Sequence, residues 1–169
     1  MIDLNQYLDP VCLDRPEVEP LTGAAAFPHN IAINTGNTPV GKLDDYAVAL
    51  LGVPDDRASS NSGAARGPDE IRKCLYSFSR LPGRMKITDL GNLKRGASFE
   101  DTLAGLRDVL DRLLENNIVP VVIGGTSAIM PAIDRSLSSL KKNWSLVAVD
   151  SRLDFTAEKK KPEIGRAHV

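Results

Sequence analysis

Two places in this 169-residue chain bring together residue types that can do chemistry. The first is Gly124-Gly125-Thr126-Ser127, directly after the apolar run VPVVI; the second is Asp150, Arg152 and Asp154, directly after SLVAV. In an open parallel sheet, functional groups gather beyond the carboxyl ends of the strands, and both clusters fall at such ends. Paired carboxylates at alternate positions suit a hard cation or an acid/base task. Strand side chains alternate, so Arg152 would share a face with both acids and set a permanent positive charge between them. Its guanidinium could then do by hydrogen bonding what a bound metal does by coordination. The three residues read equally as an ordinary ion-pair network. The Gly-Gly turn also reads two ways: as a tight strand-to-helix connection capped by Thr126, or as a seat for an anion on its backbone amides. Neither G-x-G-x-x-G nor G-K-[ST] is present to support a nucleotide site.

Regular elements must position these clusters. AVALLGV at 47–53 is a continuous apolar run of buried-strand length. Gly67-Pro68-Asp69-Glu70 opens a helix, with proline in the first turn and acids near its positive end. Ile71, Cys74, Leu75 and Phe78 form its expected buried stripe, and Arg66 and Arg72 are expected to pair with Asp69 and Glu70. A second strand is expected at 85–90 and a loop at 91–97. A helix capped by Ser98 then runs to about Asn116, with Leu103, Leu106, Leu110, Leu113 and Leu114 at three- and four-residue spacing. Strands are expected at 118–123 and 145–149, around a helix at 126–140. Strand and helix alternate from Tyr46 to Asp150, which predicts an α/β fold: a mainly parallel sheet with helices on both faces.

Residues 1–45 differ, with Pro10, Pro16, Pro20, Pro28 and Pro39 scattered among Gly, Asn and Thr. Prolines at this density block long helices and central strands. The expected organisation is an irregular proline-rich arm over 1–45, with one short helix near 5–8, and an α/β domain over 46–169. The run EKKKPEIGRAHV adds no element to cover the sheet, so an uncovered edge or face would favour a homo-oligomer.

A 42% hydrophobic, 25% charged composition is that of a globular domain with a core. Twenty-one basic and 22 acidic residues are interleaved to a net charge of −1, which leaves no field to hold nucleic acid. Cys12 and Cys74 are far apart and form no C-x-x-C pair, as expected in a reducing compartment, the cytoplasm. No apolar stretch approaches membrane-spanning length. His29 and His168 lie in the arm and near the terminus and are read as surface residues.

Four ordered blocks within about 46–155 resemble the ureohydrolases, the arginase, agmatinase and formimidoylglutamase group. LLGVPDD followed by NSGAARGPDEIR is similar to the family's first strand, its substrate-side loop and the opening of its first helix. ITDLGNL resembles the D-x-G-D strand end, VPVVIGGTS the strand ending in G-G-D-H, and VAVDSRLD the D-A-H-x-D strand. The resemblance implies a three-layer α-β-α fold, incomplete here because family members continue beyond these blocks. It further implies a paired manganese centre whose bridging water attacks a guanidinium or imino carbon.

Residue by residue, the acid and imidazole of G-G-D-H fall on Thr126 and Ser127. Asp150 and Asp154 match ligand positions, and the histidine between them is Arg152. The resemblance therefore implies a degenerate metal site, Asp150 and Asp154 as its remaining ligands, and a domain without hydrolase activity in this form; no residue is assigned a catalytic role. If the family activity is retained, the cofactor is manganese and the substrate a guanidino or formimino compound. Otherwise the cleft is expected to hold a small carboxylate or other anion through Arg152, Gly124, Gly125, Thr126 and Ser127, with Asn61 and Arg66 as loop contacts. An interaction scaffold is the remaining alternative.

Overall fold

The computed structural model describes residues 3–11, 26–37, 42–59, 62–79, 83 and 85–150. Its described segments before Tyr46 are two short strands, β1 (Leu8–Asp9) and β2 (Ala32–Ile33), and 3-10 turns at Leu4–Gln6, Phe27–Asn30 and Leu43–Asp45. The regular alternation follows: β3 (Val48–Val53), α1 (Gly67–Tyr76), β4 (Ile87–Leu93), α2 (Phe99–Glu115), β5 (Val119–Gly124) and α3 (Met130–Ser138). β3 is central, paired in parallel with β4 on one side and β5 on the other. The outer edge of β4 carries β2 in parallel and β1 antiparallel. The sheet is thus mainly parallel, as alternation predicts.

Side-chain alternation divides the core. Ala49, Leu51 and Val53 join Leu106, Val109, Leu110 and Leu113 of α2 with Ile129 and Ala132, forming the larger cluster. Leu50 and Ile87 face the other way and pack with Phe27, beside Leu75 and Tyr76 of α1. Helices therefore cover both faces. α2 begins as its residues dictate: the Ser98 hydroxyl accepts the Asp101 N–H, and the Asp101 carboxylate accepts the Ser98 N–H.

Four expectations need correction. β4 runs three residues past 90, because Leu8 and Asp9 of β1 give Leu93 and Asn92 a backbone partner; Gly91 adopts φ +86° in doing so. The third helix begins as a 3-10 turn, Ser127–Ile129, before α3. Residues 145–149, expected as a strand, join no strand of the sheet, and Val147 and Val149 are 85% and 98% exposed. An apolar run has strand propensity only where a neighbouring edge and an opposing layer receive it. Finally, the buried residues of α1 are Pro68 and Arg72, whereas Ile71, Cys74 and Phe78 are exposed. The helix is rotated to bring Arg72 onto the sheet, at the expense of its apolar stripe.

This arrangement predicts a contrast between two truncations. Leu106→Ala, in the fully buried contact between α2 and the sheet, should cost about 2–5 kcal/mol in urea unfolding. Phe78→Ala should stay within about 0.5 kcal/mol of the parent; a loss as large as that of Leu106→Ala would restore the apolar stripe.

Candidate functional site

Two carboxylates are buried at the sheet, one just beyond β3 and one within β4. Asp55, two residues beyond β3, has a side chain only 1% exposed, gripped by its neighbour Arg57. Arg57 Nε lies 3.1 Å from both carboxylate oxygens, and its Nη atoms donate to Ala97 O, Ser98 O and Thr102 Oγ1. The Thr102 hydroxyl donates back to Asp55 at 3.2 Å. Burial works against ionisation of Asp55, but the hydrogen bonds and charge of Arg57 outweigh it and hold the carboxyl below its usual range. One carboxylate thereby fastens the loop after β3 to the start of α2.

Asp89, within β4, is completely buried. Arg72 approaches it as a fork, Nε to Oδ2 and Nη2 to Oδ1, each 2.9 Å. The same guanidinium donates to Gly91 O at 2.8 Å and Asn92 Oδ1 at 2.6 Å, while Tyr76 Oη and Gly91 N donate to Asp89. Burial and the adjacent Asp89 charge raise the Tyr76 phenol far above its ordinary value, so it remains a donor. Desolvation opposes the charge on Arg72, and the Asp89 contacts more than restore it. Gly52 makes the approach possible: a Cβ there would lie 2.8 Å from Pro68 Cβ and 2.9 Å from Arg72 Nη1.

Around these pairs stand the residues singled out in the sequence. Gly125 packs against loop backbone, since a Cβ on it would lie 2.6 Å from Asp55 O and 3.0 Å from Ala64 O. Its N–H donates to Val53 O at 3.0 Å. Gly124 O faces Gly67. The Thr126 hydroxyl caps the following turn by accepting the Ala128 N–H at 3.2 Å, and Ser127 begins that turn. Arg66 is exposed at the head of α1, and Asp150 is exposed beyond α3. Asn61, Arg152 and Asp154 lie outside the described residues. The structure thus brings Gly124, Gly125, Thr126 and Ser127 beside the loop that carries Arg66.

The residues seen here do not fit a paired manganese centre. Such a centre takes several carboxylate and imidazole donors, and no three His, Cys, Asp or Glu side chains cluster to hold an ion among the described residues. Asp55 and Asp89 are each engaged by a guanidinium, and the Thr126 oxygen accepts a backbone N–H. Among the described residues no helix is long and apolar enough to cross a membrane.

With this geometry in place, known proteins can be set beside it. Residues 46–167 match the model of the arginase family. The formimidoylglutamase of Halalkalibacterium halodurans is 31% identical over 125 residues, covering 68% of this chain and 39% of that protein. The Salmonella typhi formimidoylglutamase is 35% identical over 83 residues, covering 46% of this chain and 26% of that protein. Among solved structures, the Bacillus subtilis formimidoylglutamase superposes with a TM-score of 0.57 at 19% identity, over 75% of this chain and 42% of that one. The Trypanosoma cruzi formiminoglutamase, solved with Mn2+, gives 0.52 at 21% identity, over 58% of this chain and 37% of that one.

The chain belongs to the arginase family. It is a formimidoylglutamase-like domain with an arginase-like α/β fold, and it spans about two-fifths or less of the length of the curated relatives it matches.

Sequence reasoning missed the Asp55–Arg57 and Arg72–Asp89 pairs. Arg72 does contact Asp69, at 3.5 Å, but the shorter bonds go to Asp89. A signal was available: an acid inside the apolar strand ITDLGNL must find a cation, and Arg72 is the cation on the helix packed against it.

Two predictions follow from the pairs. Arg72→Met leaves the Asp89 carboxylate buried without its fork and should cost about 3–5 kcal/mol in urea unfolding. Arg72→Lys should not rescue it, because an ammonium cannot make the paired contacts; full rescue by lysine would contradict the role given to the fork. Asp55 has a folded-state pKa below its unfolded value, so its contribution to stability is present at neutral pH and lost as pH falls through the folded value. Stability should therefore decline on acidification below about pH 4, and Asp55→Asn should flatten part of that decline in denaturant titrations from pH 5 to 3. A parent-like slope in Asp55→Asn would remove Asp55 as a source of the acid sensitivity.

Proposed function

We propose that this formimidoylglutamase-like domain carries a degenerate form of the family's metal site and does not by itself hydrolyse a formimino or guanidino substrate. One observation carries the reading: hydroxyls of Thr126 and Ser127 stand at the carboxyl end of β5, where the family's G-G-D-H strand presents an acid and an imidazole. Threonine and serine hydroxyls are weak ligands for a hard divalent ion beside carboxylate and imidazole, and Thr126 uses its oxygen to cap a helical turn. Fewer donors mean weaker capture of the ions and no acidified water to attack the imino carbon. Arg152, between Asp150 and Asp154 in sequence, supports the same reading, because a guanidinium cannot ligate a metal and repels one.

The test is direct. The purified chain, incubated with excess Mn2+ and formimidoylglutamate, arginine or agmatine, should release no formamide, ammonia or urea above background. Calorimetric titration with Mn2+ should show no tight binding. Mn2+-dependent turnover of any of the three would overturn the proposal, and would identify the substrate at the same time.

A further inference from the structure

Two short strands and one asparagine close the outer edge of β4. Lys94 N donates to Tyr7 O at 2.7 Å, and β1 continues antiparallel with Leu8 against Leu93 and Asp9 against Asn92. β2 takes the first half of the edge in parallel, with Ala32 against Thr88 and Ile33 against Asp89. Between the two pieces sits Asn34, only 6% exposed. Its N–H donates to Asp89 O at 2.9 Å, its side-chain amide donates to Leu90 O at 3.0 Å, and its backbone carbonyl accepts the Val11 N–H at 2.8 Å. One buried residue thus ties both pieces of the arm to β4. The strand is shaped to receive them. β4 carries one residue more than β3 between the Leu50–Asp89 and Gly52–Asn92 pairs, and a Cβ on Gly91 in that bulge would run into the Asp9 carbonyl. Further contacts hold the segment away from the edge itself: Leu4 and Leu8 are buried in the larger core cluster, Tyr7 Oη donates to Asp108 of α2 at 3.0 Å, and Lys94 Nζ donates to Gln6 O at 3.1 Å.

We propose that residues 3–11 and 32–36 are an autoinhibitory clasp: they occupy the outer edge of β4 and so prevent two copies of this chain from pairing there, edge to edge. A bare strand edge presents a row of N–H and C=O groups that templates another strand. Without the clasp, Asp89 O, Leu90 O and Lys94 N would lose their partners on a seven-residue strand. Every copy would then carry the same bare edge, and two like edges pair antiparallel about a two-fold axis, each residue meeting its counterpart reciprocally. A second copy is therefore the partner this edge fits. The two strands of the clasp are two residues each, too short to hold by ladder bonds alone, which gives Asn34 and the buried Leu4 and Leu8 their task. The proposal stands apart from the reading of the metal site and holds whichever way that test falls.

Light scattering of the full chain and of a variant lacking residues 1–11, at matched concentrations, tests it, with circular dichroism to confirm folding. The variant should show about twice the mass of the full chain, and an excess of the peptide of residues 1–11 should return it to the full-chain value. Amide exchange by NMR reports where the copies meet: at Lys94 it should be fast in the dilute variant and slow by about ten-fold as concentration and mass rise together. If the deletion unfolds, full-length Tyr7→Ala/Asp9→Pro carries the same comparison of mass and exchange, since it removes the Asp108 bond and the N–H at the next pairing position of β1 on β4. A folded variant with the mass of the full chain would overturn the proposal, as would a mass that the peptide leaves unchanged. So would association with Lys94 exchange independent of concentration, which would put the contact elsewhere. Unfolding of both variants would overturn it too, because the segment would then be needed to form the core and not to guard its edge.

Discussion

Burying the Asp89 carboxylate inside a strand constrains much of the rest of this domain. A completely buried carboxylate is tolerable only with a fully bonded counter-charge, and Arg72 of α1 supplies it through a fork completed by Tyr76, Gly91 and Asn92. That demand fixes the rotation of α1 on the sheet. The helix turns Pro68 and Arg72 inward and leaves Ile71 and Phe78 half exposed or more. It also accounts for Gly52, since a Cβ at that point of β3 would run into the Asn92 side-chain oxygen that accepts from Arg72, and press on Pro68 and the guanidinium tip. Whether such a pair adds net stability over an apolar replacement is a separate matter from the geometry it enforces. Its removal one partner at a time is costly because the survivor stays buried.

The second pair acts on a different part of the frame. Asp55 and Arg57 clamp the loop after β3 onto Ala97, Ser98 and Thr102, where α2 begins with its own reciprocal cap. Both buried carboxylates, Asp55 just beyond β3 and Asp89 within β4, are thus neutralised by arginine. In a site built on a divalent ion, carboxylates at strand ends would turn their oxygens to the metal. Here the two buried ones turn them to guanidinium groups, and the threonine after Gly-Gly turns its oxygen to a backbone amide. Among the described residues, this end of the sheet carries fixed ion pairs and a tight glycine turn.

Legibility in the sequence followed the range of the interactions involved. The strand runs at 47–53 and 118–123 and the leucine stripe of α2 were readable because periodicity is a local property, and the same holds for the Ser98 cap. The α1 stripe misled because its three- and four-residue spacing was genuine, yet a polar contact with a residue 17 positions away decided which face was buried. For the site, Gly124 to Ser127 could be placed at a strand end and Thr126 named as its cap. Arg57 stands only two residues from Asp55, but nothing local marks the pair as buried: Thr102 and the Ala97 and Ser98 carbonyls that complete the clamp come from a segment that only the fold brings beside it.

By itself the sequence determined the alternation of strand and helix, the parallel sense of the central strands, membership in the arginase family and the residue types at the Gly-Gly turn. Each depends on local composition or on order along the chain. Only the tertiary structure decided which side of α1 faces the sheet, that β1 and β2 both fall on the outer edge of β4, and that residues 145–149 stay out of the sheet. Those outcomes depend on where counter-charges and free backbone edges lie in space, and such distances are not written in any stretch of neighbouring residues.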